Sequence, residues 1–149
     1  MTNNIEELTT YLQSYLQRLS VGERAKLSKQ IGRDLRKNQA KRISAQKNPD
    51  GSTYTPRRIR IREQKGKIKR KMFTKLKNAT HLKLLSNADA IAIGFVGRVA
   101  RIARIHQEGL KDRAERGAPS VVYPKRELLG FTDQDLQLIE DSFLKHINL

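Results

Sequence analysis

The chain contains no cysteine and no tryptophan. Without thiols, neither a disulfide nor a thiolate metal site can form. Four Phe and four Tyr are the only aromatic residues, too few for the stacking platforms that bind bare bases. No stretch approaches the ~20 consecutive apolar residues of a membrane span. The opening MTNNIEELTT is acidic and lacks an apolar run, so it does not read as a signal peptide. Catalytic signatures are also scarce. His81, His106 and His146 are far apart and fall short of the ligand count zinc needs. There is no glycine-rich phosphate loop, and no Ser or Thr has a recognisable His partner. Asp133 with Asp135, and Glu140 with Asp141, read as capping and solvation of an exposed helix rather than as an acid–base pair. These absences lead us to expect a protein that is not an enzyme and that needs no metal or cofactor.

Positive charge is what the chain has. The net charge is +16 in 149 residues, and it is a block. Residues 20–85 carry 21 basic and 4 acidic groups, whereas residues 1–19 are net −1 and residues 86–149 net 0. The densest part is Arg57, Arg58, Arg60, Arg62, Lys65, Lys67, Lys69, Arg70 and Lys71, opposed only by Glu63. Such a block binds phosphate, an acidic protein or an anionic surface. The bland alternative is a solvated segment with no partner.

The strongest local signals sit in residues 90–110, AIAIGFVGRVARIARIHQEGL. Ile91, Ile93 and Phe95 alternate as in a half-buried strand. Beyond Gly94 and Gly97 the period changes, and Val99, Ile102, Ala103 and His106 form one helical stripe, widened by Ile105. Arg101 and Arg104 point away from it. Gly109 stands where a helix C-cap glycine belongs. The apolar faces of this unit need cover from both ends of the chain.

The spacing predicts a helix over 5–19 and a capping box, Ser20 with Glu23, opening a second helix from about Val21 to Gln46. Leu27, Ile31, Leu35 and Ile43 are its apolar line, interrupted by Asn38 and Gln39. At ~1.5 Å per residue it spans roughly 37 Å, about the diameter of a domain this size. Its far end is therefore expected in solvent or under a neighbouring subunit. Asn48-Pro-Asp-Gly51 is a turn. Residues 53–71 read as a basic loop or hairpin, and Met72 to Leu76 as one helical turn. Strands are predicted at 81–85 and 90–96, a loop at 111–120, a short strand at Val121–Tyr123, and a last helix from Thr132 to about Ile147.

One domain is expected over 1–149. It divides into a helix over 1–19, a long basic helix over 20–47, a basic arm over 48–71 and a compact core over 72–149. The fold class is α+β: an N-terminal helix, a long second helix, a small antiparallel sheet, helix 98–108 and a C-terminal helix packed on it. A neutral C-terminal half packs, and residues 36–71 stay open until another molecule covers them.

The segments NPDGSTYTPR, KMFTKL, GFVGRVARIARIHQEGLKDR and VVYPKRELLGFTDQDLQLIED resemble, in this order, the phage virion morphogenesis family. That family comprises the tail completion proteins of contractile-tailed phages. Gly97, Arg98, Arg101, Arg104, His106, Gly109, Tyr123, Pro124 and Arg126 carry the most specific part of the likeness. The resemblance implies a structural protein that completes the tail and takes part in head–tail joining. It also implies a homo-oligomeric ring, a hexamer, at the neck or top of the tail, built in the host cytoplasm. The partners it implies are tail tube or terminator proteins and head or neck proteins, with DNA in the channel and no membrane. The alternative from the residues alone is a sequence-nonspecific nucleic-acid-binding protein.

Overall fold

The computed structural model describes residues 2–58, 71–113 and 115–147. Its elements are α1 (Thr2–Leu16), α2 (Val21–Ser44), β1 (Leu82–Ser86), β2 (Ile91–Phe95), α3 (Val99–Glu108), β3 (Lys111–Arg113), β4 (Ser120–Val122) and α4 (Asp133–Ile147). The fold is α+β, with two separate two-stranded sheets, β1–β2 and β3–β4. The first is an antiparallel hairpin. His81 and Val96 close one end by a backbone bond, and Asn87 and Ala90 the other. Asn87 Oδ1 accepts the Asp89 and Ala90 N–H groups, which shapes the turn.

The caps follow the sequence reading. Ser20 Oγ accepts the Glu23 N–H at 3.1 Å and starts α2. Thr132 Oγ1 accepts the Asp135 N–H, and an Asp135 carboxylate oxygen accepts the Thr132 N–H, both at 3.0 Å. This is a reciprocal capping box with Asp in place of Glu. Gly109 closes α3 in the left-handed region, φ 68°. α2 ends earlier than expected, at Ser44. Gln46, without being glycine, takes φ 59°. Its N–H bonds the Ile43 carbonyl and the next N–H bonds that of Arg42, a Schellman pattern.

The chain forms two compact units. The first comprises Met1–Asn38, Leu84–Ile93 and Phe131–Leu149. Its core is Leu12, Leu27, Ile31, Leu35 and Phe143, with Leu8, Leu16, Leu19, Ile91, Ile93, Leu138 and Ile139 packed around them. The β2 isoleucines are thus covered from both ends of the chain, and α4 packs with them. Asp135 corrects an expectation: it is buried, not solvated. Its second carboxylate oxygen accepts from Asn38 at 3.1 Å, which explains the polar break in the apolar line of α2.

The second unit comprises Gln39–Lys83 and Gly94–Gly130. Ile43, Tyr54, Leu76, Ala103 and Leu128 form its core, with Met72, Phe73, Phe95 and Val99 against them. Complete burial of Ile43 and Leu128 contributes about 1.5–3 kcal/mol each. The far end of α2 is therefore not open, and residues 39–54 are not an arm awaiting a partner. Tyr54 and Leu128 cover this end within the protomer, because Gln39 and Arg42 satisfy carbonyls that an apolar helix face would have left unpaired. Two further expectations fail. Residues 111–113 are a strand, not loop, since pairing with Ser120–Val122 supplies hydrogen bonds that local propensity does not register. Ile102 is 48% exposed while Ile105 is buried, so the buried face of α3 is rotated from the expected stripe. Residues 72–77 form hydrogen-bonded turns, including one helix-like Lys77-to-Phe73 bond, as expected.

Gly130 provides a test of the second core. A Cβ built there would lie 2.4 Å from Pro49 Cγ and 3.1 Å from its Cβ, and a proline ring cannot swing aside. Gly130→Ala is expected to cost about 1–3 kcal/mol in a denaturant titration. Gly94→Ala, with nothing within 4 Å, is expected to leave the midpoint nearly unchanged.

Candidate interaction surface

Of the basic segment, Arg60, Arg62, Lys65, Lys67, Lys69 and Arg70 lie outside the described residues. Arg57, Arg58 and Lys71 flank them and are exposed. The two flanks are held in different ways. On the first, Arg126 Nε donates to the Thr55 carbonyl at 2.7 Å and Nη2 to that of Pro56 at 3.2 Å. The Tyr54 hydroxyl donates to the Glu127 carbonyl at 3.0 Å. On the second, the Gln46 side-chain amide makes a reciprocal pair with the Met72 backbone, both bonds at 2.9 Å. Phe73 then packs edge-on between Tyr54 and His106, with centroids 5.8 and 4.8 Å away. It does so at φ 66°, a costly conformation for a bulky residue that dense surroundings must enforce.

The family-motif residues divide into two groups. His106, Gly109, Tyr123 and Arg126 come together. His106 contacts Tyr123 edge-on at 5.1 Å. The Arg126 N–H donates to the His106 carbonyl at 2.8 Å, and Arg126 Nη1 lies 3.1 Å from His106 Nδ1. Gly109 makes this possible, since a Cβ there would meet the Tyr123 carbonyl and Lys125 at 3.3 Å. Pro124 continues the strand end past it. Gly97, at φ 71°, forms the turn into α3. Arg98, Arg101 and Arg104 form the second group and are exposed. Arg101 reaches Asp112 at 2.8 Å, and Arg104 pairs with Glu108 at 3.4 Å. Exposed pairs of this kind contribute little stability.

Sequence reasoning missed three polar anchors. The Gln107 amide oxygen accepts the Leu128 and Leu129 N–H groups, and its nitrogen donates to the Leu129 carbonyl. Arg42 donates to the Lys47, Glu127 and Leu128 carbonyls. Asn48 Oδ1 accepts the Glu127 N–H. A Gln at helix position i+1 from a motif His carries no distinguishing signal by itself.

The protonation states follow from the geometry. A guanidinium can only donate, so Nδ1 of His106 accepts and the ring is neutral, with its proton on Nε2. Burial, and secondarily the Arg126 charge, pull the His106 pKa down from 6.5 to about 4. Burial and then Arg57 lower that of Arg126. Burial raises that of Tyr54.

Charge follows the division into units. The first unit has 8 basic and 9 acidic groups. The described residues of the second have 17 basic and 5 acidic, and residues 59–70 add six basic and one acidic by sequence. The part of the basic block beyond residue 38 thus falls in the same unit as Arg98, Arg101 and Arg104, and that unit is strongly cationic. Among the described residues no group of His, Asp and Glu is placed to hold a metal ion. No helix there is long and apolar enough to cross a membrane.

The sequence model of the phage virion morphogenesis family matches residues 3–148, and the chain belongs to that family. It is 35% identical over 147 residues to tail completion protein S of Escherichia phage P2, an alignment covering 97% of this chain and 98% of that protein. No solved structure gives a significant match. The chain is a virion morphogenesis protein of phage tails.

Neutral His106 has a thermodynamic consequence. Between pH 6.5 and about 4 the unfolded chain binds a proton here that the folded chain does not. Stability therefore declines as pH drops through that window. The loss is of the order of 2 kcal/mol once partial solvent screening is allowed for. His106→Asn keeps an acceptor near Nδ1 but cannot titrate. Its denaturation midpoint should be lower at neutral pH yet fall less than that of the parent as pH approaches 4.

Proposed function

We propose that the protein completes the phage tail and takes part in joining it to the head, acting without catalysis. The observation that carries this is the near full-length similarity to tail completion protein S. In this reading the protein assembles as a ring, a hexamer, at the neck. It docks on tail tube or terminator proteins and on head or neck proteins, and its cationic unit faces acidic protein or channel DNA. Segregated charge supports the reading: 17 basic against 5 acidic groups in the described part of one unit exceeds what solubility requires. The basic segment from Arg57 to Lys71 is the proposed contact. The Arg126 knot is its proposed foundation.

The same charge favours one second reading, a sequence-nonspecific nucleic-acid-binding protein. Two measurements separate them. Negative-stain imaging of particles made without the protein should show filled heads and finished tail tubes that remain unjoined; normal virions would end the first reading. Duplex binding that weakens steeply with salt, and that disappears when Arg57, Arg58 and Lys71 are neutralised with the basic residues between them, would favour the second.

A further inference from the structure

We infer that copies of this chain associate head to tail, the outer face of α4 on one copy against the α3 arginine face of the next. Asp133, Glu140, Asp141 and Leu144 fall at spacings of seven, eight and eleven residues from the first. On a helix these fall on one side, with Asp133, Asp141 and Leu144 exposed and Glu140 half-buried at the edge beside Phe143. Leu144 is 40% exposed. The face is acidic with an uncovered leucine, although the protein as a whole is strongly basic. Arg98, Arg101 and Arg104 line α3 at three-residue spacing, and Ile102 stands exposed among them. Val122, on β4 of the same unit, is 71% exposed. Each face joins charge of one sign to apolar side chains that water leaves at a cost. The two signs are opposite.

A protomer offering both faces makes a heterologous contact, which closes into a ring when the rotation permits and otherwise propagates. Opposed charge would steer the encounter and fix its register, while Leu144, Ile102 and Val122 would supply the desolvated centre. A second copy fits better than a nucleic acid on this face, because Ile102 stands exposed among the arginines and a phosphate backbone has no apolar surface to cover it. The inference rests on the self-assembly proposed above.

The test uses two variants of the full chain, E140K/D141K and R98E/R104E, and a third carrying all four substitutions. Arg101 is left intact so that its bond to Asp112 keeps β3 in place. Solution mass is read by light scattering across concentration, with circular dichroism as the folding check. Each variant alone should stay monomeric where the parent assembles. Mixed in equal amounts, the two should assemble again, because the intact faces of the two variants match each other and their reversed faces do so as well. The fourfold variant should regain assembly, which also shows that no substitution breaks the fold. A parent-like mass for either variant alone overturns this interface but leaves self-assembly standing. Monomers in the mixture, with both variants monomeric alone, overturn the head-to-tail pairing. A parent that is monomeric at every concentration instead overturns the oligomer itself.

Discussion

Arg126 is a buried cation held by neutral groups. It is 3% exposed, and its side-chain hydrogen bonds go to the carbonyls of Thr55 and Pro56 and to a neutral imidazole. Removing a guanidinium from water costs several kcal/mol unless its donors are satisfied. Here three of its nitrogens find acceptors, and the partial negative charge at the C-terminal end of α3 adds a favourable field. The requirement passes outward from there. His106 must stay neutral, which needs the aromatic cover of Phe73 and Tyr123. Tyr123 must run close beneath the end of α3, which needs Gly109 without a Cβ. Phe73 must accept a positive φ. Three motif residues and one strained phenylalanine thus serve a single buried charge.

That dependence explains why the protein can carry so much positive charge and still fold. Like charges repel, and a unit with 17 basic and 5 acidic described groups has no general electrostatic reason to be compact. Its cohesion comes from an apolar cluster and from side chains that tie loops by neutral hydrogen bonds: Gln46 to Met72, Gln107 to Leu128 and Leu129, Asn48 to Glu127. These bonds are insensitive to salt, unlike surface ion pairs. The cationic surface can then be presented by a scaffold that does not rely on it.

The sequence made local structure legible wherever the code is local. The Ser20 N-cap, the Thr132–Asp135 capping box, the Gly109 cap, the β1–β2 hairpin and the identity of α2, α3 and α4 follow from spacing and turn chemistry. The misses share one cause, dependence on residues distant in the chain. Lys111–Arg113 carries three charged side chains and becomes a strand only because Ser120–Val122 pairs with it. Asp135 looks like a solvated acid and is buried because Asn38, 97 positions away, donates to it. Asn38 and Gln39 look like flaws in an apolar line. The first bonds within the first unit, the second bonds Gly130 within the second. The resemblance named both His106 and Arg126, but spacing gave no sign that the two would share a hydrogen bond.

Arginine itself shows why counting charge misleads. Arg42 and Arg126 belong to the basic total, yet both are spent on backbone carbonyls, and neither can meet a partner without unfolding the segment it secures. Arg101 and Arg104 sit within five positions of His106 and look alike in sequence, but they lie at the surface and exchange partners at little cost. Burial, not residue type, separates the two roles. What another molecule can recognise is therefore the exposed subset, and its chemistry is guanidinium beside aliphatic carbon. That combination suits an acidic face with its own apolar residues better than it suits a bare polyanion, for which the exposed isoleucine and valines would be dead weight.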